Sequence, residues 1–158
     1  MSRTNSNPPF LDMVWWDDFE INMQFEFGAW RMRKEDMVAF AKTYDPEPFH
    51  LDESESRKLG WDGLIASGLQ ISAIWRRLSK DAFCKTEMVI SPGWDNIRWT
   101  HPVYPDDVLH SKTRLCDKRQ LNSRPGEGLL KLDNDILRQD EKKVASLVSN
   151  WFVRKRDS

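Results

Sequence analysis

The stretch Gly63-Leu64-Ile65-Ala66-Ser67-Gly68-Leu69-Gln70-Ile71-Ser72-Ala73-Ile74-Trp75-Arg76-Arg77-Leu78 decides how the rest of the chain is arranged. Ile71, Ile74, Trp75 and Leu78 recur at i, i+3, i+4 and i+7, so they share one face of a helix that opens after Ser67-Gly68. The early part is small and apolar (Ile65, Ala66, Gly68, Leu69, Ala73), which suits burial against a sheet. The polar residues Arg76, Arg77, Ser79 and Lys80 gather at its far end.

Upstream, Phe19, Ile21, Met23, Phe25 and Phe27 alternate with Glu20, Asn22, Gln24 and Glu26, the period of an extended, half-buried segment. Met37, Phe40, Ala41 and Tyr44 then mark a short amphipathic helix from near Glu35, ended by Pro46 because the residue before a proline is pushed out of the α region. Asp52 is placed to cap another short helix through Ser54 and Arg57, closed by Gly60. Downstream the helical period does not return. Asn96 to Thr100 alternates, with Ile97 and Trp99 on one side, and three strands are predicted over 108–116, 129–137 and 144–153. Pro125-Gly126 and the polar run Gln139 to Lys143 supply hairpin connections. Helices before a run of strands predict an α+β domain with a mostly antiparallel sheet, rather than alternating βαβ units. A flexible arm is expected over 1–14, polar from Met1 to Pro9, followed by a single domain over 15–155.

Composition narrows the function classes. Hydrophobic residues at 39% and charged residues at 31% describe a soluble, globular chain, expected in the cytoplasm. A net charge of -1 offers no basic field for nucleic acid. No apolar run reaches the roughly 20 residues that span a bilayer, and residues 1–10 lack the charged and apolar regions of a secretory signal. Cys84 and Cys116 form neither a CxxC pair nor a zinc spacing, and His101 and His110 have no partner spacing, so no metal is expected. The eight tryptophans are read as core or subunit-contact area.

The chemistry concentrates in Tyr44-Asp45-Pro46-Glu47-Pro48-Phe49-His50-Leu51-Asp52. Fully extended, the separation of Asp45 and His50 spans about 16 Å, but a bend enforced by Pro46 and Pro48 can fold the imidazole back towards the carboxylate. Asp45 also sits where a helix ends, next to the negative pole of its dipole, where a carboxylate is unfavourable by roughly 0.3–1 kcal/mol. Such local misfits cluster at functional sites. Read blandly, the same residues make a good turn, and a lone histidine is structural.

This segment resembles the signature of the MaoC-like dehydratase family, which includes the (R)-specific enoyl-CoA hydratases. That signature is an aspartate, one residue, a polar residue, proline, an apolar residue and histidine, then an acidic residue; Asp45, Pro48, Phe49, His50 and Asp52 fit it. Ile65-Ala66-Ser67-Gly68 is similar to the opening of the family's long central helix. Trp94 to Trp99, followed by Pro102-Val103-Tyr104-Pro105-Asp106-Asp107, resembles its strand and following turn. The likeness runs from about Trp15 to Phe152. Three positions depart from it: Glu47 where asparagine is common, Tyr44 for a frequent glycine, and Asp106 for the glycine of the turn.

The resemblance implies a hotdog fold, a curved antiparallel sheet wrapped around a long central helix, assembled at least as a homodimer with the site near the subunit junction. It also implies a hydro-lyase acting on an enoyl-CoA or 3-hydroxyacyl-CoA thioester, with Asp45 and His50 holding one water as the acid/base dyad. No separate cofactor is implied, since coenzyme A is part of the substrate. The first N–H groups of the helix after Ser67 have no partners within it, so the Gly68 amide, with Ser67 beside it, is assigned to the thioester oxygen. Alternatively, Ser67-Gly68 is only a helix cap with a tight packing contact. Arg57, Lys58, Arg76 and Arg77 are candidates for the CoA phosphates, though each also reads as an ordinary solvated residue. Competing readings are an acyl-CoA thioesterase and a non-catalytic acyl-CoA-binding hotdog protein.

Overall fold

In the computed structural model, which describes residues 10–157, the helix expected after Ser67 runs over Gly68–Ala82 and is labelled α4. Ser67 caps it, its Oγ accepting from the Leu69 N–H at 3.2 Å and satisfying one of the donors a first turn leaves over. Ile71, Ile74, Trp75 and Leu78 are all buried, as their spacing predicts. Ser79, read as part of the polar end, is buried too, because it lies one turn beyond Trp75 on the same face.

Five strands surround α4: β1 (Gln24–Arg31), β2 (Met88–Trp99), β3 (Val108–Gln120), β4 (Glu127–Leu137) and β5 (Lys143–Arg154). They form one antiparallel sheet in the order β1-β3-β4-β5-β2, so β1 and β2 are its edges. Alternation assigns the faces. Leu109 and Leu115 of β3, Leu130, Leu132 and Ile136 of β4, and Leu147, Trp151 and Val153 of β5 join the face of α4 in one hydrophobic core. A polar layer interrupts this face without penalty: the Asn134 amide donates to Leu132 O at 2.7 Å and Ser149 Oγ at 3.1 Å, and its oxygen accepts from Thr113 Oγ1 at 2.8 Å. Left unpaired, each such buried group would cost about 1–3 kcal/mol. A sheet wrapped around a central helix is the α+β hotdog arrangement that the resemblance implies. Between β1 and α4 lie three helices: α1 (Lys34–Tyr44), α2 (Pro48–Leu51) and α3 (Glu53–Lys58).

Four boundaries differ from the sequence reading. The alternation from Phe19 overstates β1, which starts only at Gln24: Asn22 has φ 69°, and Ile21 is 48% exposed in the turn before it. β2 starts at Met88, well before Asn96, because Pro92 and Gly93 obscure its pattern; an edge strand tolerates both. Pro48–Leu51 forms a helical turn of its own where only a bend was expected. Of the arm assigned to 1–14, residues 1–9 lie outside the described residues, whereas Phe10 packs edge-on against Phe25 with ring centroids 4.9 Å apart and donates its N–H to Ala82 O at 2.7 Å. The segment from Phe10 therefore belongs to the packed body.

One glycine allows the close approach of helix to sheet. Gly28 has φ 93° at a register break in β1, and a Cβ there would meet Leu78 Cδ1 at 2.7 Å. Of the tryptophans, Trp75 and Trp151 are fully buried, in keeping with a core role, while Trp61 and Trp99 are exposed. Among the described residues no helix is long and apolar enough to cross a membrane.

Candidate active site

α1 ends at Tyr44, and Asp45 follows as its C-cap at φ −152°, ψ 69°, its N–H donating to Ala41 O at 2.9 Å. Pro46 stops the helix there. Pro48 then occupies the first turn of α2, a position suited to its fixed φ and missing N–H. The Glu47 N–H donates to Asp45 O at 2.8 Å and the His50 N–H to Glu47 O at 2.9 Å, so the chain reverses within a single turn. That reversal brings His50 Nε2 to 3.4 Å from Asp45 Oδ2.

His50 is buried, and its Nδ1 lies 2.8 Å from Ile65 O. A carbonyl only accepts, so Nδ1 carries a hydrogen and Nε2 is the ring atom that faces Asp45. Ser67 Oγ donates to Asp45 Oδ2 at 2.6 Å while accepting from the Leu69 N–H. A carboxyl group and an imidazole nitrogen thus meet at the N-terminus of α4. Asp45 retains 27% side-chain exposure, enough for water to reach it. The pair can hold a water molecule and move its proton.

Gly68 opens α4, where its N–H has no acceptor within the helix. A Cβ on Gly68 would stand 2.5–2.8 Å from indole carbons of Trp99. The indole Nε1 donates to Ser72 Oγ at 3.2 Å, and Ser72 Oγ donates to Gly68 O at 3.1 Å. The cap and the tight packing contact are therefore both present, with Trp99 as the packing partner. Sequence reasoning missed two contributors. Ile65 acts through its backbone carbonyl, which no side-chain pattern reveals. Trp99 was visible only as one residue of an alternating strand, although a glycine at a helix start is a cue to look for a bulky neighbour.

The departures from the family signature have separate structural settings. The side chains of Glu47 and Tyr44 point into solvent. Asp106 has φ 74°, the left-handed region where glycine is favoured, and pairs with Arg31 at 2.7 Å. Three of the four basic candidates are engaged on their own helices: Arg57 with Glu53, Lys58 with Glu55 and Arg77 with Asp81. Arg76 is half-buried, and that burial lowers its pKa. Three clefts of the chain are lined elsewhere than at Asp45 and His50.

Residues 18–134 match the family model described as the MaoC like domain, a span that holds both Asp45–His50 and Ser67–Gly68. The chain belongs to the MaoC-like domain family. Among its relatives is the YdeM protein of Bacillus subtilis strain 168, 31% identical over 111 residues, which cover 70% of this chain and 79% of the relative. The crystal structure of the MaoC-like dehydratase from Rhodospirillum rubrum superimposes with a TM-score of 0.84 at 28% identity, covering 92% of this chain and 99% of that one. The unliganded R-hydratase PhaJ1 of Pseudomonas aeruginosa gives a TM-score of 0.73 at 18% identity, covering 90% and 87%, a likeness of fold. This MaoC-like chain thus has both the family's span and its architecture.

Proposed function

We propose that this protein is a hydro-lyase that adds water to, or removes it from, the double bond of an enoyl-CoA thioester. The observation that carries the reading is the approach of His50 Nε2 to Asp45 Oδ2, at 3.4 Å, beside the first turn of α4. In hydration the hydroxyl goes to the β-carbon and a proton to the α-carbon. His50, anchored through Nδ1–H to Ile65 O, takes the proton of water on Nε2 and returns it to the α-carbon. Asp45, held by the Ser67 hydroxyl, orients the same water. Negative charge developing on the thioester oxygen is received by the Gly68 N–H and the positive end of the α4 dipole; one such donor is worth about 2.7–4 kcal/mol. Acid–base groups and a backbone amide suffice for this chemistry.

A second copy of the chain completes the acyl pocket in this reading. β2 is an unpaired edge that exposes Val89, Ile90 and Trp99, large apolar groups that an isolated sheet edge does not retain without a partner. The free thiols of Cys84 and Cys116 suit a reducing, cytoplasmic setting.

The test is a spectrophotometric panel of enoyl-CoAs, crotonyl-CoA included, on wild type, Asp45→Asn and His50→Ala. Loss of enoyl absorbance without free thiol is expected for wild type, with each variant slower by about 10²–10⁴-fold. Thiol release would assign a thioesterase, and acyl-CoA binding without turnover a binding protein. Equal rates in all three proteins would remove the dyad from the mechanism.

A further inference from the structure

Outside the Asp45–His50 pair, three residues remote in sequence converge. His110 lies on β3 on the face opposite buried Leu109 and Ser111, Glu26 comes from the adjacent strand β1, and Glu141 from the β4–β5 hairpin. His110 Nε2 stands 3.1 Å from Glu141 Oε1 and 3.7 Å from Glu26 Oε1, and one donor atom from each residue falls within 4.8 Å of the others. The Nε2 atom is buried and faces both carboxylates. A buried ring nitrogen between two carboxylates calls for positive charge at that point, which a ring proton or a metal ion supplies. Lys112 neutralises one carboxylate only, holding Glu141 Oε2 at 2.5 Å and leaving Oε1 towards His110.

We infer that Glu26, His110 and Glu141 form a binding site for a divalent transition-metal ion, with Zn²⁺ the best fit. Ligand atoms around a tetrahedral zinc at 2.0–2.1 Å stand about 3.3 Å apart, between the 3.1 and 3.7 Å found at His110 Nε2, so rotations of the two glutamate side chains would complete the set. One imidazole with two carboxylates selects against Mg²⁺ and Ca²⁺, which take oxygen ligands alone, and leaves a fourth position for water. The donors come from two paired strands and a hairpin in which Glu141, at φ 62°, is pinned by its N–H to Arg138 O at 3.0 Å. A bound ion would therefore tie the hairpin to β1 and β3. The site shares no residue with the Asp45–His50 pair and stands whether or not the proposed hydration does. Spacing along the chain excluded a metal at His110 only because its partners lie on other elements.

The experiment is calorimetric titration of tag-free, full-length protein with zinc chloride, on wild type, His110→Asn, Glu141→Gln, Lys112→Met and Cys84→Ser. The expected result is one ion per chain, binding weakened more than about tenfold by His110→Asn and by Glu141→Gln, strengthened by Lys112→Met, and unchanged by Cys84→Ser. Glu141 lies on an exposed hairpin, so its variant decides the question even if the His110 variant fails to fold. Absence of saturable binding, binding indifferent to both His110→Asn and Glu141→Gln, or binding lost in Cys84→Ser alone would each overturn the site.

Discussion

Asp106 stands in the left-handed region, where the family's turn carries glycine, and its carboxylate compensates by pairing with Arg31 on the surface. The backbone cost outweighs an exposed ion pair, which is worth about 0–1 kcal/mol. Asp106→Gly is therefore expected to stabilise the fold by up to about 1 kcal/mol, read from the urea midpoint. Asp140 illustrates the opposite balance. The hydrogen bond from Arg138 is the largest cause that lowers its pKa from 3.8 to about 2. A depressed folded-state value means that the pair's contribution is complete above pH 3.8 and is lost as pH falls through about 2. Carboxyl-resolved NMR should give Asp140 a midpoint near 2, returning towards 3.8 in Arg138→Gln; an unchanged midpoint would remove Arg138 as the cause.

At the scale of elements, the start of α4 gathers four demands on three residues. Ser67 caps the helix and holds Asp45, Gly68 admits the Trp99 indole, and Ser72 receives the indole N–H. An added Cβ at Gly68 would sit 2.5 Å from the ring, so Gly68→Ala should destabilise by about 1–3 kcal/mol through overpacking. Trp99→Ala in the same chain should recover most of that loss. A double-mutant cycle in urea reads the coupling directly, and simple additivity of the two changes would show that the indole is not what excludes a side chain.

For the whole molecule, the prediction of assembly rests on β2. A strand that exposes Val89, Ile90 and Trp99 at a sheet edge predicts a dimer mass by light scattering, and Ile90→Lys should shift the population towards monomer. A monomeric wild type would dissociate the acyl pocket from any subunit junction. Periodicity was enough to place α1, α4 and three of the strands, because burial imposes periods of 3.6 and 2 on the side chains themselves. The capping role of Asp52 was equally legible, since a cap is a contact between neighbours, here with the Ser54 and Glu55 N–H groups. Asp45 and His50 could be named as candidates, but their meeting depends on a one-turn helix too short to leave a periodic trace. The tautomer of His50 depends on a backbone carbonyl fifteen positions away, and the indole over Gly68 on the packing of an edge strand against α4. Those contacts join residues distant in the chain, and only the folding of the sheet around α4 brings them within reach.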